Sequence, residues 1–297
     1  MVMSTTTIDN KVKRVVSNIR NLPTPPIVFH QIQKVINDPN VNASQIATIL
    51  AEDPAMSVKV LKLTNSAFYG LSREIDSVKQ AVIVVGVEAI KNLVLSASVL
   101  DMFKGNDTDQ EYQDRFWRHS LATAFCCRLL ARKVKARGIA DPDAAFSAGL
   151  LHDVGKMIVC CFLPEEQAQF QQARAADREC ADHEVEQQLF GYTHADIGGF
   201  LAAHWKIPQK LANAITNHHA PWQVDAEDSV SYIVYLGNYL AKKTFYDKQE
   251  RYLVGTVEPH ILERLQLSQS DLEGYSEALR DEYLKAETFM QMAGIGQ

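Results

Sequence analysis

The sequence predicts an all-α protein, a multi-helix bundle with an N-terminal helical subdomain, and three observations predict it. Apolar residues recur about every 3.6 positions rather than every two, capping residues precede one apolar run after another, and prolines stand where first helical turns are expected. Residues 1–10 carry no core pattern and are expected to fray, with a first amphipathic helix over residues 11–21. Pro23, Pro25 and Pro26 forbid a helix and then launch one, because proline is tolerated in a first turn. Phe29, Ile32, Val35 and Ile36 follow at helical spacing.

Asn42 with Gln45, and Ser77 with Gln80, read as capping boxes, and Asp53 before Pro54 reads as a cap plus first-turn proline. Ile46, Ile49 and Leu50, then Val58, Val60, Leu61 and Leu63, keep the helical period. The run 81–85 resembles a buried strand, but Gly86 followed by Val87, Ile90, Leu93, Val94 and Val99 predicts two helices across a glycine turn. The polar stretch 105–109 is the expected linker. It divides an N-terminal extension (1–21) and helical subdomain (22–105) from a second subdomain (106–243) and a C-terminal extension (244–297).

Composition narrows the function. The chain has 297 residues, 46% hydrophobic and 22% charged, as in a globular protein with a sizeable core. A net charge of −6 gives no overall electrostatic footprint for nucleic acid, and argues against reading the glycine-turn pair as a DNA reader. No signal-peptide pattern and no run of about 20 apolar residues is evident, so a cytoplasmic protein with no membrane partner is expected. The five cysteines, Cys126–Cys127, Cys160–Cys161 and Cys180, show no C-x-x-C spacing and read as small buried hydrophobes.

The second half carries the chemistry. His152 and Asp153 interrupt an apolar run, Phe146–Leu151 before and Met157–Val159 after. A buried carboxylate is costly unless it is paired or ligates a cation, and a metal would supply that partner. Of nine histidines, seven fall between 119 and 219. A helix over 112–135 turns His119 toward the side of Phe116. The next helix, opened at Asp141–Pro142 or Asp143, is expected to run through His152–Asp153, whose positions about 100° apart reach one centre. Gly155 leaves room for close approach, and Lys156 offers a cation to an anionic ligand. Thr193 with Asp196 caps a helix whose first turn holds His194. Pro208 opens the helix ending in His218–His219, and 230–240 forms another. His183 and the acidic residues Glu165, Glu166, Glu179, Asp182, Glu184 and Glu186 read as a solvated face, and His204 is left out of the site. In the tail a helix over 270–292, capped by Ser270 with Glu273, packs on the body or on a partner chain.

The order His119, His152-Asp153, His194, His218-His219 resembles the HD superfamily of metal-dependent phosphohydrolases. The upstream stretches Leu22-Pro23-Thr24-Pro25-Pro26, Asp53-Pro54-Ala55-Met56, Leu63 to Gly70 and Ala81 to Gly86 are similar to the N-terminal half of the HDOD family, the HD-related output domain of bacterial signalling proteins. The resemblance covers roughly residues 20–240. It implies a divalent transition-metal centre, iron or manganese before zinc, held by His119, His152, Asp153, His194, His218 and His219. Asp153 would bridge, and Lys156 would steady charge on phosphate. The superfamily usually closes the site with an aspartate where this sequence has Asn238, which ligates through oxygen but adds no charge. Arg115 stands where the HD-GYP phosphodiesterases place an acidic ligand, and Ala220-Pro221-Trp222 replaces their Gly-Tyr-Pro, which argues against a trinuclear centre. The resemblance therefore implies a signalling or regulatory protein with a retained metal centre, a phosphate-bearing small-molecule ligand and a separate signalling partner protein. The alternative it implies is a phosphohydrolase in which metal lowers the pKa of an attacking water.

Overall fold

The computed structural model describes residues 5–19, 22–36, 38, 40–66, 69–103, 110–135, 140–176, 180–223, 228–245, 256–275, 278 and 279, and every regular element among them is helical. The expected linker 105–109 and the tail beyond 279 lie outside the described residues. The first helix, α1 (Thr5–Ser17), starts within the stretch expected to fray. Val12 and Val16 are buried and α1 packs on α12 (His194–His204), so the docked turns hold the nucleus from which the helix propagates backward at little cost.

The chain divides into two compact units. One holds residues 24–103, with α2 (Ile27–Val35), α3 (Ala43–Ala51), α4 (Pro54–Thr64), α5 (Val78–Val85) and α6 (Val87–Met102). Asn42 and Gln45 form the expected reciprocal capping box, and Asp53 accepts from Met56 N ahead of Pro54. Ser77 accepts from Gln80 N, but the return bond of a box is not made. Gly86 joins α5 to α6 at φ +94°, a conformation open to glycine and strained for other residues. Phe29, Ile32, Ile46, Leu50 and Leu63 fill the core of this unit.

The other unit holds α1 and everything described from 110 to 275. Its centre is α7 (Gln110–Lys135), packed on α8 (Pro142–Leu151) and α14 (Ser229–Phe245). Small residues let these backbones approach: a Cβ at Gly149 would lie 2.9 Å from Ala124 Cα, and one at Gly237 would collide with Cys127 Sγ. Around them run α9 (Val154–Phe162), α10 (Pro164–Ala176), α11 (Asp182–Phe190), α12, α13 (Gln209–Asn217) and α15 (Pro259–Leu265). Trp205 is fully buried and donates from Nε1 to Pro23 O at 2.8 Å.

Three expectations need correction here. The helix expected to continue through His152–Asp153 breaks there: α8 ends at Leu151, Asp153 has φ −97° and ψ 10°, and α9 starts at Val154. His152 turns its Nδ1 back on Gly149 O instead of standing on a helix flank. By length and composition alone the run Pro142–Phe162 is apolar enough to cross a membrane, but it contains this break and is mostly buried. In the tail, residues 269–275 are helical with Ser268 and Asp271 as the reciprocal cap, so Ser270 is already inside the helix. Cys126 and Cys127 are buried as expected, whereas Cys160, Cys161 and Cys180 are only half-buried.

Candidate metal centre

Asp153 sits at the α8–α9 break, almost fully buried, and four imidazoles close on its carboxylate. His194 Nε2 and His218 Nε2 lie 3.0 and 3.3 Å from Oδ1. His152 Nε2 and His119 Nε2 lie 3.4 and 3.7 Å from Oδ2. His219 joins from α13's end, its Nε2 3.0 Å from that of His194. The side chains at 119, 152, 153, 194, 218 and 219 are thereby brought together from α7, the α8–α9 break, α12 and the residues after α13, forming two potential ligand groups that share Asp153.

Backbone and carboxylate acceptors fix how these rings are presented. His152 Nδ1 lies 2.7 Å from Gly149 O, and His218 Nδ1 lies 2.8 Å from Ile215 O. A carbonyl oxygen only accepts, so each Nδ1 carries the proton and each Nε2 turns a lone pair toward Asp153. Glu186 orients His194, its Oε2 accepting from the ring Nδ1 at 2.6 Å and from the backbone N at 2.8 Å. Lone pairs facing a carboxylate at 3.3–3.4 Å repel it unless a cation lies between them. Among the described residues, His152 Nε2 and Asp153 Oδ1 correspondingly find no hydrogen-bond partner. Imidazole nitrogens with one carboxylate are a donor set suited to iron, manganese or zinc, and a second shell of carbonyl and carboxylate oxygens is the usual support of such ligands. The residues present fit a transition-metal ion.

Electrostatics set His194 apart from the other four rings. Burial holds His119 and His219 well below the usual imidazole range, lowers His218, and brings His152 to about 3, so all four are neutral and able to ligate. Burial acts on His194 too, but the Glu186 carboxylate overrides it and holds its pKa at about 9. Asp153 is buried, yet His152 and Lys156 keep its carboxyl well below the ordinary range. Lys156 Nζ pairs with Asp153 Oδ2 at 2.9 Å and with Asp182 Oδ2 at 3.4 Å.

A cavity of about 460 Å³ opens over one side of the centre. Asp153, His119 and His194 face it from below, Lys156 and Arg115 bring cations, and Phe116, Phe170 and Tyr192 stand among its walls. Asn238 is buried on α14, next to the Gly237 that packs on α7 at Thr123 and Cys127, and its Oδ1 has no hydrogen-bond partner among the described residues.

Three residues assigned to a solvated face belong to this neighbourhood. Glu186 is buried on His194, Asp182 joins Lys156 to Arg174, and His183 stacks on His219 with ring centroids 3.9 Å apart. Asp182 and Glu186 stand one helical turn apart, the one signal in the sequence that they share a face. Glu179 lies outside the described residues, and His204 is exposed at the end of α12.

Comparison with known proteins agrees with this architecture. The model of the HDOD domain family matches residues 22–221. An uncharacterized protein of Treponema pallidum is 27% identical over 206 residues, 69% of this chain and 39% of that protein, so the chain spans about two fifths of its length. Ribonuclease Y of Desulfotalea psychrophila is 34% identical over 109 residues, 37% of this chain and 15% of the enzyme. Among solved structures, an HDOD domain protein of unknown function from Geobacter sulfurreducens superposes with a TM-score of 0.78 at 22% identity, covering 97% of this chain and 99% of its own.

Proposed function

The chain belongs to the HDOD domain family, and from that premise we propose that it is a regulatory module with a working metal centre, whose adjoining cavity takes a small phosphate-bearing ligand. The observation that carries the reading is the convergence of Nε2 lone pairs on Asp153, with Nδ1 of His152 and His218 committed to main-chain carbonyls. His152, His194, His218, His219, Asp153 and His119 would hold the ion, with Asn238 Oδ1 as a neutral oxygen donor. Lys156 and Arg115 line the cavity and would meet the anionic group, although Lys156 already shares its charge with Asp153 and Asp182. The state of this pocket would be passed through helix packing to a separate signalling protein.

Hydrolysis is the second reading, supported by the likeness to a ribonuclease over 109 residues. A bound ion would supply Lewis acidity and a lowered water pKa. The chain's own part would be to orient phosphate with Lys156 and to hold His194 through Glu186. Metal analysis of purified protein, followed by assays on a generic phosphodiester and phosphomonoester with His152→Ala and Asp153→Ala, tests both readings. Metal lost in Asp153→Ala, whose carboxylate both ligand groups share, supports the centre. Metal present without variant-sensitive hydrolysis removes the enzyme reading, and no metal under any loading condition removes the centre.

A further inference from the structure

The two oxygens of Asp153 face unlike corners. Oδ1 meets imidazoles, His194 at 3.0 Å and His218 at 3.3 Å, with His219 beside them. Oδ2 meets His152 and His119 at 3.4 and 3.7 Å, and also the ammonium of Lys156 at 2.9 Å. The first corner gathers imidazole nitrogens, each able to turn a lone pair to a metal, around its oxygen. The second corner already holds an ammonium, which has no lone pair to give.

Lys156 is anchored there. Its ammonium is part-buried and gripped from the far side by Asp182 at 3.4 Å, which Arg174 Nε holds at 3.0 Å. Drawing the ammonium away would break two ion pairs in the interior, which is unfavourable. Keeping it while a divalent ion shares Oδ2 would press like charges together where water screens them poorly.

We propose that the Lys156 ammonium occupies the second cation position of this centre, so that the protein without an anionic ligand takes one divalent ion, at the corner formed by Asp153 Oδ1, His194, His218 and His219. The His119 and His152 corner then stays free of metal. This inference rests on the metal-centre reading above, and departs from the picture in which Asp153 bridges two ions.

Equilibrium dialysis against excess Mn²⁺, with phosphate excluded, tests it by stoichiometry. Wild type should hold one ion per chain, Lys156→Met two, and Lys156→Arg one, because arginine keeps the charge. His152→Ala placed on Lys156→Met should return the count to one. Wild type with two ions, or a folded Lys156→Met still holding one, overturns the proposal. Should Lys156→Met not fold, an anomalous difference map of wild-type crystals grown in Mn²⁺ decides it. One peak among His194, His218 and His219 supports the assignment, and peaks at both corners overturn it. No ion in wild type and no peak would remove the metal centre itself, a result distinct from a second ion.

Discussion

Glu186 reaches His194 twice with one oxygen, accepting from the ring Nδ1 at 2.6 Å and from the backbone N at 2.8 Å. The pairing ties α11 to the first turn of α12 and sets which face of the imidazole meets Asp153. Its position resembles that of the carboxylates that support metal-bound histidines elsewhere.

Glu186→Gln keeps the shape and removes the charge. Mn²⁺ affinity is expected to fall about 10–100-fold, the usual range for loss of such a support, while the helical circular dichroism stays unchanged. Titration calorimetry measures it, and an unaltered affinity would mean that His194 is not a ligand or that Glu186 does not orient it.

Gly155 packs directly beneath the main chain of α12, where an added Cβ would collide with the carbonyl of His194. Gly155→Ala must therefore push α9 and α12 apart. We expect a loss of about 1–3 kcal/mol, the range for overpacking in a tight interior, together with weaker Mn²⁺ binding, because the displaced segment begins with a histidine of the cluster. Denaturant titration reads the first and calorimetry the second; stability and affinity both at wild-type level would show that the contact relaxes without cost.

The metal-free protein should be most stable at about pH 7. His152 is depressed to about 3, and His119, His218 and His219 are lowered by burial, so below about 6.5 the unfolded chain takes up protons that the folded one refuses, and stability falls with pH. Asp153, held low, adds a further loss below about 4. His194 works in the opposite direction. Its pKa is raised to about 9, so its contribution is complete below about 6.5 and declines as pH rises to 9. Melting temperatures in EDTA across pH 4–9 should trace a peak with its steeper side in acid, and a flat profile would contradict these neutral buried imidazoles.

How much of this was written in the sequence depends on which force placed each residue. Helical period, the Asn42 and Asp53 caps and the Gly86 junction were legible because local chemistry decides them. So was the interruption of an apolar run by His152 and Asp153. The helix break at that same pair was not, because the apolar pattern continues across it and the turn follows from a histidine bonding back to Gly149. Glu186 and His183 were misplaced for a related reason. A charged run reads as solvent-facing, and only the docking of α11 beside α12 turns one carboxylate inward and lays one ring on His219.

Asn238 offers the last test, because its Oδ1 is buried with no hydrogen-bond partner among the described residues, on a helix packed against α7. A neutral amide oxygen in that state is costly without a cation and useful with one. Asn238→Asp adds charge at the same place, so Mn²⁺ should bind more tightly, on the order of tenfold given how ligand charge tunes cation affinity. The metal-free protein should melt lower, because burying a carboxylate costs more than burying an amide. Asn238→Leu should do the reverse, weakening Mn²⁺ binding while leaving the metal-free protein as stable or more so. Opposite shifts of the metal-free melting temperature and of affinity in the two variants identify a ligand atom. If neither variant moves the affinity, the amide is structural and the ion is held by the histidines and Asp153 alone.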